Sequence, residues 1–275
     1  MKIPLAGVIG HPIGHSKSPR LHGHWLKFYG ISGHYVPLDV AAGDFERVLR
    51  TLPLAGFVGA NVTIPHKEVA VSLADEVTER AARMGSANTL VFHPDGRISA
   101  DSTDGYGFIQ NIKAARPEWK ADQGPAMVFG AGGAARAVID SLLEEGVPEL
   151  RLANRTRARA EALAHTFGPK VRVIDWDAPR IGLNGAVTVV NTTSLGMSGQ
   201  PPFDVPLRGL QPGAIATDLV YTPLDTSFLI AAAAAGAKTV DGLGMLLHQA
   251  VPGFEAWFGQ RPDVTDALRD VMLRP

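Results

Sequence analysis

Pro125-Ala-Met-Val-Phe-Gly-Ala-Gly-Gly-Ala-Ala-Arg-Ala-Val138 is the stretch on which the reading of this chain turns. A short apolar run, Ala126 to Phe129, meets the turn Gly130-Ala131-Gly132-Gly133-Ala134-Ala135, and a helix-forming segment follows through Leu143. Gly130, Gly132 and Ala135 occupy the G-x-G-x-x-G/A positions of a strand–turn–helix dinucleotide fingerprint. Gly130 permits the sharp turn, Gly132 lets the backbone approach a pyrophosphate, and Ala135 allows the helix to press on the strand. The helix N-terminus then offers N–H groups and a partial positive charge to phosphates.

Downstream, Leu150 to Ala153 reads as the next strand. An NAD enzyme would place a ribose-binding carboxylate about 20 residues past the fingerprint. This chain has Asn154-Arg155-Thr156-Arg157-Ala158-Arg159 there instead. Guanidinium groups suit a 2′-phosphate in charge and in fork geometry. A solvated helix start is the plain alternative, but cations at that end oppose the helix dipole. The pattern favours NADP over NAD. Further strands are expected at Val171–Ile174, Ala186–Val190, Ala214–Val220 and Ala237–Val240, with a helix over Phe228–Ala235. The fourth of these six strands ends in the polar run Asn191-Thr192-Thr193-Ser194, and the fifth leads to Tyr221-Thr222-Pro223. Strands alternating with helices imply an α/β, doubly wound parallel sheet. After Asp241-Gly242-Leu243-Gly244-Met245, a single helix carrying Leu246, Leu247, Gln249, Ala250 and Phe254 is expected; Gln249 needs a polar partner there if it is buried.

Upstream, Leu5 to Ile9 reads as a first strand, followed by a helix over Arg20–Tyr29 that Ser18-Pro19 would cap and begin. Ser16, two residues earlier, has no capping role in that reading. The two hydroxyls serve either the helix start or a substrate carboxylate. A second strand is expected at His34–Val40, a helix at Phe45–Leu52 and a buried strand at Gly56–Val62. Pro65 would open the helix running to Leu73. Asn61, Thr63 and Lys67 thus fall at a strand's carboxyl end, where open α/β sheets hold ligands. Lys67 reads either as a solvated lysine or as a proton-handling amine; a cation in a first helical turn opposes the dipole and serves structure poorly. A helix over Glu76–Met84 precedes the stretch Gly85–Phe92, which turns into a strand, and a hairpin at His93-Pro94-Asp95-Gly96. Polar, glycine-rich Asp101–Gly107 leads into a helix at Phe108–Ala115. Asp104 either caps that helix or forms a unit with Lys67, each partner favouring the other's charge.

The 275 residues suffice for two α/β domains, and 45% hydrophobic content supports real cores. A formal net charge of −1 gives no nucleic-acid or membrane-surface footprint. The absence of cysteine excludes disulfides and thiolate chemistry. Four of the nine histidines (His11, His15, His22, His24) crowd one region, but no local carboxylate or cysteine completes a ligand set, so no metal is expected. The run opening at Met1-Lys2 is cut at His11-Pro12 and does not read as a signal peptide. A cytoplasmic protein is expected.

Taken in order, Gly10-His-Pro-Ile-Gly-His-Ser16-Lys-Ser18-Pro19, Asn61-Val-Thr-Ile-Pro-His-Lys67, Ala87-Asn88-Thr89 and Asp101-Ser-Thr-Asp104-Gly-Tyr-Gly resemble the shikimate dehydrogenase family. The likeness extends to the end of the chain. It implies NADP(H)-dependent reduction of 3-dehydroshikimate to shikimate in aromatic amino-acid biosynthesis, in the cleft of a two-domain protein. By this resemblance Ser16 and Ser18 bind the substrate carboxylate, while Thr63, Lys67, Asn88 and Asp104 hold the ring hydroxyls. Lys67 with Asp104 is the catalytic acid/base group, and Gln249 and Tyr221 meet the substrate. The cofactor falls to Gly130, Ala131, Gly132, Gly133, Ala134, Asn154, Arg155, Thr156 and Arg159, with Glu79, Leu219, Gly242 and Met245 near the nicotinamide. The implied domains are residues 1–107 plus 243–275 for substrate and 108–242 for NADP. Gly23, Ser102 and Ala87 depart from the family's usual Asn, Asn and Val, and leave fine substrate preference open. The expected partner is a small molecule, with neither nucleic acid nor membrane, in a monomer or homodimer. A quinate/shikimate dehydrogenase using NAD, or a non-catalytic NADP-responsive regulator, are the competing readings.

Overall fold

A computed structural model describes residues Ile3–Arg274; Met1, Lys2 and Pro275 lie outside the described residues. The chain packs as two units. One runs through Thr103 and resumes at Leu247; the other is Asp104–Leu246.

The first unit is built on β1 (Leu5–Gly10), α1 (Ser18–Phe28), β2 (His34–Asp39), α2 (Phe45–Thr51), β3 (Phe57–Val62), α3 (Lys67–Leu73), β4 (Glu76–Val77), α4 (Glu79–Met84), β5 (Thr89–Phe92) and β6 (Ile98–Asp101). Its sheet has the order β2-β1-β3-β5-β6-β4. β1 lies parallel to β2 and β3, while β5 runs antiparallel to both β3 and β6. The carboxyl ends of β1, β3 and β6 and the amino end of β5 therefore meet at one edge.

Several expected boundaries move. Ser18 is the first residue of α1 rather than its cap; Lys17 takes the cap position, and the Ser18 N–H donates to Ser16 Oγ at 3.3 Å. Pro65 does not open α3, because a turn closed by the His66 N–H on the Thr63 carbonyl (2.9 Å) takes it up. His66 is held there by its ring, stacked on Phe45 and bonded through Nε2 to the Val40 carbonyl at 2.7 Å. The helix expected from Glu76 starts at Glu79. Glu76 and Val77 pair with β6 instead, and Thr78 caps α4 by accepting from Ala81 N–H.

The second unit follows with α5 (Asp104–Ala115), β7 (Ala126–Phe129), α6 (Gly133–Glu144), β8 (Leu150–Ala153), α7 (Arg157–Phe167), β9 (Val171–Ile174), α8 (Pro179–Leu183), β10 (Thr188–Asn191), β11 (Ile215–Asp218), α9 (Ser227–Ala234), β12 (Lys238–Val240) and α10 (Leu243–His248), which crosses the second junction. Its strands are all parallel in the order β12-β11-β10-β7-β8-β9. β7 comes first in sequence; the chain builds outward from it on one side, then on the other from β10. This is the doubly wound order, with its switch point between β7 and β10. Two apolar clusters, one per face, cover the sheet.

Asp104-Gly105-Tyr106-Gly107 is helical rather than a loop. Gly105 packs so closely on α6 that a Cβ there would lie 3.0 Å from the Ala137 carbonyl oxygen. The lack of a side chain, read from sequence as a turn signal, serves a helix–helix contact.

From Leu247 the chain rejoins the first unit through α11 (Val251–Phe258) and α12 (Asp266–Leu273). The single helix expected here is broken at Gln249–Ala250, and Pro252 starts the new helix within its first two positions. A proline there lacks the N–H a continuous helix would need. Trp257 of α11 reaches across β3, where Gly59 has no side chain to obstruct it, and donates its indole N–H to the Leu90 carbonyl at 2.8 Å.

Candidate active site

In the first unit the expected substrate residues gather at the sheet edge described above. Ser16 and Ser18 follow β1, Thr63 and Lys67 follow β3, and Asn88 precedes β5. All five except Asn88 are half-buried. Gly10 makes room for Thr63, whose methyl would stand 2.5 Å from an added Cβ. Lys67 is the first residue of α3, and its carbonyl accepts from the Ala87 N–H at 2.9 Å, tying it to the segment that carries Asn88. Gln249, in the turn between α10 and α11, accepts from Asn88 Nδ2 at 3.2 Å through Oε1. Residues 161 positions apart in sequence are thus joined side chain to side chain. Glu79 stands exposed at the first position of α4.

A buried polar network lies behind these groups, and only one of its members besides Asn88, Asn61, stood out in the sequence. Tyr35 donates to Asn61 Oδ1 at 2.6 Å, and Asn61 Nδ2 reaches the Asn88 carbonyl at 3.0 Å. Thr89 and Thr103 complete it around Asn88 Oδ1. Asn61 interrupts an otherwise apolar strand, Phe57-Val-Gly-Ala-Asn-Val62, and that interruption was the signal available. Burial drives the Tyr35 phenol well above its ordinary range, with a hydrogen bond from Ser18 pulling the other way.

The four clustered histidines go separate ways. His22 is fully buried against Tyr35, Trp25, Phe254 and Trp257, and burial lowers it to about 3 against an opposing pull from the Asn61 amide. His11 bonds Asp39 at 2.6 Å on the surface, and His24 stacks on Phe28. His15 is exposed. Among the described residues no group of three or more His, Cys, Asp or Glu could hold a metal ion.

In the second unit the glycine turn lies at the switch point. Gly130 has φ +108°, and a Cβ there would lie 2.5 Å from Thr192 Oγ1, the residue just after β10. The turn is braced from β8 by Asn154, whose Oδ1 accepts from the Ala131 N–H at 3.1 Å while its Nδ2 donates to the Thr156 carbonyl at 2.8 Å. Gly132 precedes α6, and a Cβ on it would meet nothing within 4 Å; the first turn of α6, with Gly133 and Ala134, carries no acidic residue. The helix therefore presents an open, electropositive N-terminus that fits a pyrophosphate.

The three arginines after β8 separate into two kinds. Arg157 is engaged by Glu161 (2.8 Å) and by Asp175. Arg155 and Arg159 are exposed and pair with no carboxylate among the described residues. They are the two that fit a 2′-phosphate, and sequence alone did not separate them from Arg157 on contacts.

Beyond β11, Gly242 presses its backbone on Leu219, where an added Cβ would stand 2.5 Å from the Leu219 carbonyl oxygen. Leu219, Met245 and Ala131 flank the same apolar cluster. Asp218 organises the loop leading to Tyr221. Its carboxylate accepts from Thr226 (2.6 Å), Asn191 (3.0 Å) and the Val220 N–H (3.0 Å), and burial outweighs these bonds to push it above the ordinary range. Tyr221 is raised by burial as well. Asp104 begins α5 in this unit.

Three family models match the chain. Residues 8–90 match the shikimate dehydrogenase substrate binding domain, residues 113–194 the shikimate / quinate 5-dehydrogenase family, and residues 242–273 the shikimate 5'-dehydrogenase C-terminal domain. The shikimate dehydrogenase (NADP(+)) of Paracoccus denitrificans (strain Pd 1222) is 64% identical over 270 residues, 98% of this chain and 96% of that protein. Shikimate 5-dehydrogenase from Thermus thermophilus, solved with NADP(H) and shikimate, is 36% identical with a TM-score of 0.85, covering 98% of each chain. Quinate dehydrogenase from Corynebacterium glutamicum, solved with NAD, is 31% identical with a TM-score of 0.90, over 98% of this chain and 99% of that one. The fold is shared by shikimate and quinate enzymes, whereas the high identity lies with an NADP-dependent shikimate enzyme. This chain belongs to the shikimate dehydrogenase family.

Proposed function

We propose that this chain catalyses the reversible NADP-dependent reduction of 3-dehydroshikimate to shikimate, a step of aromatic amino-acid biosynthesis. The observation that carries the cofactor choice is the pair Arg155 and Arg159, both without a carboxylate partner among the described residues, in a chain 64% identical to an NADP+ enzyme. In this reading Asp104–Leu246 serves the cofactor and the remainder serves the substrate. The assigned boundaries are 108–242 and 1–107 plus 243–275.

Gly130 to Ala134, Asn154 and Thr156 would hold the pyrophosphate and ribose, Arg155 and Arg159 the 2′-phosphate. Glu79, Leu219, Gly242 and Met245 would border the nicotinamide. When bound, NADPH supplies the hydride. Ser16 and Ser18 would take the substrate carboxylate, with Thr63, Asn88, Tyr221 and Gln249 orienting the ring. Lys67 Nζ gives a proton to the carbonyl oxygen as the C=O bond becomes C–O, and takes it back in the oxidative direction. Asp104 would orient the reacting hydroxyl.

No helix among the described residues is long and apolar enough to cross a membrane. We place the enzyme in the cytoplasm as a monomer or homodimer, a choice that light scattering on the purified protein resolves. The functional test is NADPH formation with shikimate and quinate side by side, each with NADP+ and with NAD+. Turnover of shikimate with NADP+ in large excess over the other three pairings is expected. Strong quinate or NAD+ turnover overturns the reading in favour of a broader dehydrogenase, and NADP+ binding without turnover overturns it in favour of a regulator.

A further inference from the structure

A strand at the end of a sheet turns every second carbonyl away from its neighbour, and those acceptors need another partner. β12 ends the parallel sheet, paired with β11. Lys238 faces β11, its N–H donating to the Ala214 carbonyl at 2.8 Å, so Thr239 and Asp241 turn their carbonyls outward. One helix meets both. Arg116, just past the end of α5, donates from Nη2 to the Thr239 carbonyl at 2.9 Å, and Asn111 donates from Nδ2 to the Asp241 carbonyl at 2.7 Å. A carbonyl can only accept, so the Asn111 atom facing it is the NH2 and the other is Oδ1.

That oxygen lies against Gly244, where an added Cβ would stand 1.8 Å from it. Gly242 is pressed in turn on Leu219, and between the two glycines the Leu243 N–H donates to the Asp241 carboxylate at 2.9 Å. The turn is thus gripped from β11 at one glycine and from α5 at the other, with Met245 directly after it. Asn111 is 7% exposed, so water is poorly placed to take over its bond. Asn111 comes seven residues after Asp104, close to two helical turns, so both lie on one face of α5, about 10 Å apart along its axis.

We propose that Asn111 is a positioning residue: its amide holds the Asp241–Met245 turn to the helix that begins at Asp104, and so sets the nicotinamide ring at a fixed reach from the group that orients the reacting hydroxyl. This rests on the reading above that Asp104 meets the substrate while Gly242 and Met245 border the nicotinamide. Asn111 acts through the turn and touches neither ligand. Hydride transfer is sensitive to such placement, because an error of about 1 Å costs on the order of a hundredfold in rate.

The test compares Asn111→Asp, which keeps the shape but sets an acceptor against the Asp241 carbonyl, with Arg116→Met, which keeps the stem and deletes the other bond to the same strand edge. A role confined to closing the sheet edge predicts one outcome for both. Asn111→Asp is instead expected to lower kcat for shikimate oxidation about tenfold and to raise the Kd of NADP+, titrated on the enzyme alone, about fivefold, with KM for shikimate within about twofold of wild type. With shikimate deuterated at the carbon that gives up the hydride, the isotope effect on kcat is expected to be at least as large as in the wild type, since the slowed step is the transfer. Arg116→Met is expected to melt at a lower temperature while keeping kcat and NADP+ affinity within about twofold. Equal changes in the two variants overturn the proposal, as do wild-type kcat and Kd in folded Asn111→Asp, a change confined to KM for shikimate, or an isotope effect that collapses toward 1. If Asn111→Asp does not fold, Asn111→Ser, whose shorter arm does not reach Asp241, takes its place under the same criteria. Should the wild-type chain not turn over shikimate, the functional reading fails, while the NADP+ Kd of the two variants still decides whether Asn111 sets the turn.

Discussion

His22 lies flat against Tyr35, with ring centroids 4.0 Å apart and planes inclined by 8°. The stack sits among Trp25, Phe254 and Trp257, and neither imidazole nitrogen forms a well-made hydrogen bond. A charge there would be desolvated with little to compensate it, which is why the group falls from the ordinary 6.5 to about 3.

That depression makes stability depend on pH. Between about 6.5 and about 3 the unfolded chain binds a proton at this histidine and the folded chain does not. Stability is therefore complete above the upper value and falls as pH drops below it, by about 1.4 kcal/mol per pH unit for one proton. His248, lowered to about 4 by burial, adds to the same slope. Urea unfolding at pH 7, 6, 5 and 4 is expected to show a shallower decline in His22→Leu than in the wild type. Parallel declines would refute a neutral buried His22.

Replacing Lys67 with Ala removes the amine at the start of α3. The prediction is a fall in kcat of about 10²–10⁴-fold with NADP+ affinity retained, measured by steady-state kinetics and cofactor titration. A variant with near-normal kcat eliminates Lys67 as the acid/base group.

Arg155 and Arg159 are expected to act on cofactor choice, and Arg157 is not. Removing charge-assisted bonds to a 2′-phosphate should raise KM for NADP+ about 10–100-fold in Arg155→Ala and Arg159→Ala, with little change for NAD+. Arg157→Ala, which loses Glu161 and Asp175, should leave the NADP+ to NAD+ ratio intact. Equal sensitivity of all three to both cofactors would count against the assignment.

Gly130→Ala puts a side chain at φ +108° and within 2.5 Å of Thr192 Oγ1. Strain of this kind costs about 1–3 kcal/mol. Thermal unfolding should shift down by several degrees, and added NADP+ should stabilise the variant less than the wild type. An unchanged melting temperature would contradict the close approach of the two loops.

Legibility in the sequence followed how local each determinant is. The strands of the second unit lie within two residues of where apolar runs and glycine punctuation put them, because strands buried on both faces read as continuous apolar stretches. β4 was lost inside an expected helix: its two residues, Glu76 and Val77, take their conformation from β6, which follows in the chain. Gly105 and Pro252 were both visible in the sequence, but what each does depends on a neighbour, Ala137 in one case and the rejoining of α11 in the other. The resemblance identified Asn88 and Gln249 individually. Their bond to one another, and the Thr89 and Thr103 hydroxyls behind them, depend on the antiparallel register that sets Asn61 opposite Thr89. No spacing along the chain encodes that register.

The seat of Trp257 on Gly59 and Leu90 orders events in time. On the ribosome, all of Asp104–Leu246 is synthesised before Trp257 exists, so the nucleotide-type sheet can close while the earlier-made sheet still waits for its last helices. The half of the protein translated first is the half that finishes last, and until then its β3–β5 surface is an unfilled socket for a nascent chain still being extended.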